Sequence, residues 1–121
     1  PKPNKMSYKV TDDFIPNFCA GKVTSQKVEI TSVIGDKEFT FPVYVTIPVK
    51  EGKHPFFICI NFRDDVPDRY IPVEEITDSG YALVVMCYKD VVNDNLGGDF
   101  SDGLAAYFGT KKDPEVSPGA R

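Results

Sequence analysis

Residues 39–47 alternate without a break. Phe39, Phe41, Val43, Val45 and Ile47 fall on one face, and Thr40, Pro42, Tyr44 and Thr46 on the other. That is the period of a half-buried strand. The preceding segment, VEITSVI at 28–34, starts the same way with Val28 and Ile30 and then slips by one. The slip predicts a bulged strand. Gly35-Asp36 links the two segments, so together they read as an antiparallel hairpin. Pro42 has no N–H to give, so its nitrogen must face away from a partner strand or sit at a bulge.

Two later segments do not alternate at all. After the turn Lys50-Glu51-Gly52-Lys53 comes FFICIN at 56–61, and YALVVMCY follows at 81–88. Short continuous apolar runs read as strands covered on both faces. Between them, Pro72-Val73-Glu74-Glu75-Ile76-Thr77-Asp78-Ser79-Gly80 predicts a short helix. Proline opens it, acids sit at its positive end, and glycine ends it. Strand, helix and strand then form a βαβ unit with parallel strands and a right-handed crossover.

The flanks are weaker. Residues 1–27 read as a polar lead-in with a frayed start and one short helix near 11–19. Residues 89–103 are rich in Asp, Asn and Gly, and Ser101 is placed to cap a helix over 102–108 that ends at Gly109. The tail 109–121 has little to bury. The fold class expected is therefore α/β: an antiparallel hairpin followed by a βαβ unit, in a three-layer or incomplete sandwich. It forms one domain or fragment over 1–121, with sheet and helices within 28–108.

Composition narrows the partners more than the fold. The 121 residues carry a net charge of −4 with both signs interspersed. Nucleic acid and anionic membrane surfaces select basic patches, so neither is an expected partner. No apolar span is long enough to cross a membrane, and no signal peptide is visible. Cys19, Cys59 and Cys87 form neither a disulfide framework nor a zinc pattern. Cys59 and Cys87 sit in apolar runs, where a thiol behaves as a small hydrophobe. Three unpaired cysteines lean towards the cytoplasm. A processed, secreted form stays open, because the sequence starts at Pro1.

The chemical inventory is short. The only histidine, His54, lies at the amino end of strand 56–61, away from its carboxyl mouth. There is no G-x-S-x-G turn for a serine nucleophile. Loop 61–71 contains no glycine, which excludes both a dinucleotide fingerprint and a P-loop there, and no cofactor is expected. Asp90, Asp94, Asp99 and Asp102 gather oxygens but lack the spacing of a calcium loop. They read as a solvated turn, with an acidic metal-binding loop as the alternative. Ligands in open sheets bind beyond the carboxyl ends of parallel strands. Asn61, Asp64 and Asp65 lie at one such end, and Lys89 and Asp90 at the other. These five are the candidate substrate-mouth residues.

The order of the pieces carries a resemblance. KEFTFPVYVTIP leads by a short turn to HPFFICINF, then PVEEITDSGYALVVMCYKD, then an acidic stretch ending DFSDGL. From about Phe18 to Phe108 this resembles the N-terminal part of bacterial α/β-hydrolase esterases of the acetyl xylan esterase and glucuronoyl esterase type. Its most specific parts are the hydrophobic-Asn-Phe strand end, the P-V-E-x-I helix and the G-Y-A strand opening. The resemblance implies that the loop after strand 56–61 helps form an oxyanion hole, with the backbone N–H groups of Phe62 and Arg63 as donors. The family pattern continues with Gly-Asn-His, where this sequence has Arg63-Asp64-Asp65.

The resemblance also implies a nucleophilic serine, an acid and a histidine beyond a further strand that this chain does not reach. The expectation is an N-terminal fragment of a serine-type carboxylic ester hydrolase acting on acyl or uronate esters of carbohydrates. Such a fragment is inactive alone and able to form homo-oligomers through an exposed sheet edge. The alternative is a non-catalytic β-rich binding or interaction module.

Overall fold

The computed structural model describes residues 2–91. Five strands form one mixed sheet: β1 (Lys5–Asp12), β2 (Val23–Ile34), β3 (Lys37–Pro48), β4 (Phe56–Asn61) and β5 (Ala82–Cys87). Their spatial order is β1-β2-β3-β5-β4. One α-helix, α1 (Val73–Asp78), joins β4 to β5, and 3-10 turns occupy Phe18–Gly21 and Tyr88–Asp90.

The hairpin β2–β3 turns at Gly35-Asp36, with Ile34 opposite Lys37. Gly35 has φ +61 and Asp36 is not left-handed, which matches a turn with glycine at its first central position. The register runs unbroken from Ile34↔Lys37 to Val23↔Pro48, so the bulge expected in 28–34 does not form. Apolar residues change face there because both faces of β2 are half-buried, not because the strand slips. Pro42 lies opposite Glu29, beyond the stretch Tyr44–Thr46 that pairs with β5. Its missing N–H therefore leaves the β3–β5 ladder intact.

The helix forms where the sequence placed it. Pro72 precedes it, Glu74 and Glu75 occupy its first turn, and Gly80 leaves it at φ +90. The Gly80 N–H donates to the Thr77 carbonyl at 3.0 Å, closing the C-terminus. β4 and β5 pair in parallel from Phe56↔Ala82 to Asn61↔Cys87.

Two further expectations need correction. The lead-in is not helical: Lys5–Asp12 is a strand paired antiparallel with β2, followed by the 3-10 turn at Phe18–Gly21. More important, the α/β three-layer arrangement is not what the chain adopts. The described residues are 49% strand and only 14% helix, in one mixed sheet. The error came from reading continuous apolar runs as strands covered on both faces. Among the described residues a helix covers only one face, where α1 and the loops around residues 14–18 and 65–71 enclose Leu83, Val85 and Tyr44. The opposite face carries Val45, Val84 and the even-numbered residues of β4, and no helix of the described residues lies on it. The core is correspondingly small: Val23, Val43, Ala82, Leu83 and Cys87 are its buried apolar members. The helix expected over 102–108 and the tail lie outside the described residues.

Candidate functional site

Because β4 and β5 run in parallel, their carboxyl ends open on the same side. The loop after β4 begins at Asn61, and the loop after β5 begins at Tyr88. The Phe62 and Tyr88 rings meet edge-on, with centroids 5.6 Å apart, so the two loops touch at their roots. Lys89 and Asp90 follow in the 3-10 turn. Among the described residues, neither forms an ion pair with the loop after β4.

One residue organises this mouth, and sequence reasoning had not singled it out. Asp68 is buried, only 5% exposed. Its Oδ2 accepts from Asn61 Nδ2 at 2.7 Å, and its Oδ1 accepts from the Tyr70 N–H at 2.9 Å. Arg63 Nε lies 3.4 Å from Oδ2. The Asp68 carbonyl accepts from the Ile71 N–H at 3.1 Å. A buried carboxylate persists only when its oxygens are satisfied in this way. Asp68 thus ties the strand end, the arginine and the far limb of the loop into one unit. The signal was available: an aspartate after a proline, bonding the N–H two residues on, is an Asx-turn.

The same contacts hold the Asp68 carboxyl below the usual carboxylate range. The Asn61 amide acts first and the Tyr70 N–H next, with the charges of Arg63 and Arg69 adding to them; burial opposes all of these. A carboxyl whose folded pKa lies below its unfolded value, about 3.9, stabilises the fold above that pH. The stabilisation disappears as pH falls through the folded value. Asp68→Asn is therefore expected to lower Tm at neutral pH by roughly 5 °C. The gap between variant and parent should close below about pH 4. Thermal melts from pH 7 down to 2 check this, and a gap that does not change with pH would refute the assignment.

The other expected mouth residues are more open. Phe62 is exposed, and Asp64 and Asp65 project from the loop. Asp65 Oδ2 lies 3.4 Å from Arg63 Nη2 in an exposed pair. The structure therefore brings Asn61, Arg63 and Asp65 together around Asp68, and Phe62 towards the β5 loop. Asp64 makes no side-chain contact of this kind among the described residues. Asp94, Asp99 and Asp102 lie outside the described residues. Among those described, no group of three potential ligands is placed to hold a metal ion.

Potential nucleophiles and bases are engaged elsewhere. His54 Nε2 lies 2.8 Å from the Lys50 carbonyl, at the amino end of β4. Ser25 Oγ accepts from the Ile15 N–H at 2.7 Å and donates to the Ile15 carbonyl at 3.1 Å, pinning the segment 14–18 to β2. Thr77 Oγ1 donates back to the Val73 carbonyl within α1. All three cysteines are free thiols. The Cys19 thiol is pushed up by burial and by the carboxylates of Glu74 and Asp78, against Lys22. A raised thiol pKa leaves little thiolate for nucleophilic work. Lys22 instead bridges the 3-10 turn to α1, with Nζ 2.6 Å from Glu74 and 3.0 Å from Asp78.

Comparison with protein-family models and with curated proteins returns no match. Among the described residues, no helix is long and apolar enough to cross a membrane.

Proposed function

We propose that this chain is the N-terminal portion of a serine-type carboxylic ester hydrolase acting on acyl or uronate esters of carbohydrates. It contributes one wall of the substrate mouth and not the nucleophile. The observation that carries the reading is the position of β4. The crossover through α1 turns inward, so β5 inserts between β3 and β4 and leaves β4 at the edge. A further parallel strand would add beside β4, on the side away from β5. The loop after β4 runs towards β5, and the loop after that added strand would run the other way; the crevice between such loops is where open sheets bind ligands. Asn61, Phe62 and Arg63 stand at its lip.

The apolar surface of β4 supports the same reading. Phe56, Ile58 and Ile60 are exposed on one face and Phe57 on the other, the state of a strand awaiting a neighbour and a covering layer. In the completed site a serine oxygen attacks the ester carbonyl as its proton passes to the expected histidine beyond this chain, and the carbonyl oxygen gains the negative charge. The Phe62 and Arg63 N–H groups are the donors for that charge. Collapse breaks the ester C–O bond, that histidine returns the proton to the leaving oxygen, and the alcohol departs from an acyl-enzyme that water then hydrolyses.

The test is a comparison of two polypeptides. The 121-residue chain is expected to give no saturable turnover of an aryl acetate above the buffer rate. The full product of the native gene is expected to hydrolyse it and to be labelled by a fluorophosphonate on a serine beyond Arg121. Absence of a labelled serine in the full product would remove the esterase reading. The non-catalytic interaction module would then stand, since the bare edge of β4 suits strand addition by a partner.

A further inference from the structure

The amino end of β4, away from the mouth, carries a concave surface of its own. The turn 50–54 rises beside the sheet and closes a groove of about 440 Å³ against it. Val45 and Ile47 of β3, Phe56 of β4 and Val84 of β5 form the floor, and Lys53 and His54 the wall. The volume falls within the roughly 300–1,000 Å³ of small-molecule sites. The wall is fixed in three places. The Val49 N–H donates to the Lys22 carbonyl at 3.0 Å, and the Pro55 carbonyl accepts from the Ala82 N–H at 2.9 Å. Between them His54 Nε2 lies 2.8 Å from the Lys50 carbonyl. A carbonyl only accepts, so Nε2 is the donor there. Gly52, at φ +100, supplies the reversal that this clamp closes.

Charge marks one end of this groove only. The turn holds Lys50 and Lys53 against a single acid, Glu51. Glu51 does not line the groove, and no other carboxylate of the described residues does. Neither lysine has a carboxylate within ion-pair distance among the described residues. Away from the turn the surface is apolar. Val84 pairs with Val45 on one side and Ile58 on the other. Exposed Ile58 and Ile60 carry the apolar track along β4 beyond Phe56. From Phe56 to Ile60 that track runs about 13 Å, close to the length of extended decanoate.

The combination selects among ligands. A neutral hydrocarbon uses the floor and leaves the lysine in water. A small anion meets the lysine and leaves the floor bare. A chain with one anionic end uses both. We propose that the groove between turn 50–54 and the sheet binds a medium-chain fatty carboxylate, with its head at Lys53 and its chain over Val45, Phe56 and Val84. The groove lies at the opposite end of β4 from Asn61, and its ligand does not depend on the esterase reading.

The test is a binding measurement on the full chain. The probes are decanoate, decanol, hexanoate and acetate, each below its micellar range, titrated by calorimetry and by NMR of the valine and isoleucine methyl groups. Decanoate is expected to shift the methyl signals of Val45, Ile47 and Val84 and to bind about fivefold more tightly than decanol, the reach of one partly exposed charge pair. Hexanoate should bind at least about tenfold more weakly than decanoate, and acetate should give no saturable shift. Lys53 is exposed, so Lys53→Gln should bring decanoate close to decanol with Tm unchanged. Phe56→Ser should weaken decanoate and decanol alike. Equal affinity of the parent chain for decanoate and decanol, or no saturable shift of the groove methyls, would overturn the proposal. So would nuclear Overhauser contacts from Phe56 or Val84 to residues 92–121, or to a second copy, that persist with decanoate present, because the chain itself would then fill the groove.

Discussion

Leu83→Ala is expected to destabilise the fold by about 3 kcal/mol, within the range for truncating a buried leucine. Leu83 is 2% exposed, the lowest value among the core residues. It sits on β5 opposite Thr46 of β3 on one side and Phe57 of β4 on the other. Its side chain faces the covered side of the sheet, where Phe14, Ile15, Val73 and Val85 line a cavity of about 30 Å³ with it. That space already has room for one or two waters. Removing three carbons there enlarges a void instead of letting neighbours close in, so the cavity term adds to the lost transfer energy. The core has few members, and little else can compensate. Urea unfolding followed by circular dichroism measures the loss as a fall in midpoint at constant slope. A loss below about 1 kcal/mol would mean that α1 and the loops do not close on β5 as described.

The second large effect concerns association. The chain is expected to self-associate in solution, and Ile58→Lys/Ile60→Lys is expected to raise the apparent dissociation constant at least about a hundredfold. Ile58 and Ile60 are 65% and 62% exposed on the edge strand. They share a face with Phe56, Val84 and Val45, so the bare apolar area is continuous and not scattered. No described strand pairs with the backbone N–H and C=O groups on the outer edge of β4. Such an edge templates pairing with another chain, and lysines on it prevent that. The folded monomer should tolerate both changes within about 0.5 kcal/mol, because neither side chain is buried. Sedimentation velocity across a wide concentration range separates the outcomes. A parent chain that stays monomeric throughout would show that β4 is already covered.

The two predictions turn on the same fact from opposite sides. β5 is central and buried; β4 is equally apolar in sequence but peripheral. Nothing in FFICIN against YALVVMCY reveals this difference. Burial depends on whether a neighbour and a covering layer exist, and those are set by strand order. The three-residue pairing of Tyr44–Thr46 with Leu83–Val85 places β5 beside β3, and that contact spans nearly forty positions of chain. Asp68 shows the same limit on a smaller scale. Its Asx-turn to Tyr70 was legible, whereas its bonds to Asn61 and Arg63 depend on how the loop folds back over the strand end. β1 is a different kind of miss. Met6, Tyr8 and Val10 do alternate, but all eight residues of the strand are exposed, so no buried face strengthened the signal.

Local physics was enough to fix what needs only neighbouring residues. Period-two alternation made β3 a strand, glycine at positive φ turned the hairpin at Gly35, and proline, acids and Gly80 bounded α1. The same sequence established a negative charge and the absence of a glycine-rich phosphate turn after β4. Only the tertiary structure decided that α1 lies on one face of the sheet, that β4 stands at the edge of the described sheet, and that Arg63, Arg69 and Tyr70 gather over a buried Asp68. Each of these depends on contacts between segments distant along the chain, whose energies appear only once the sheet has brought them together.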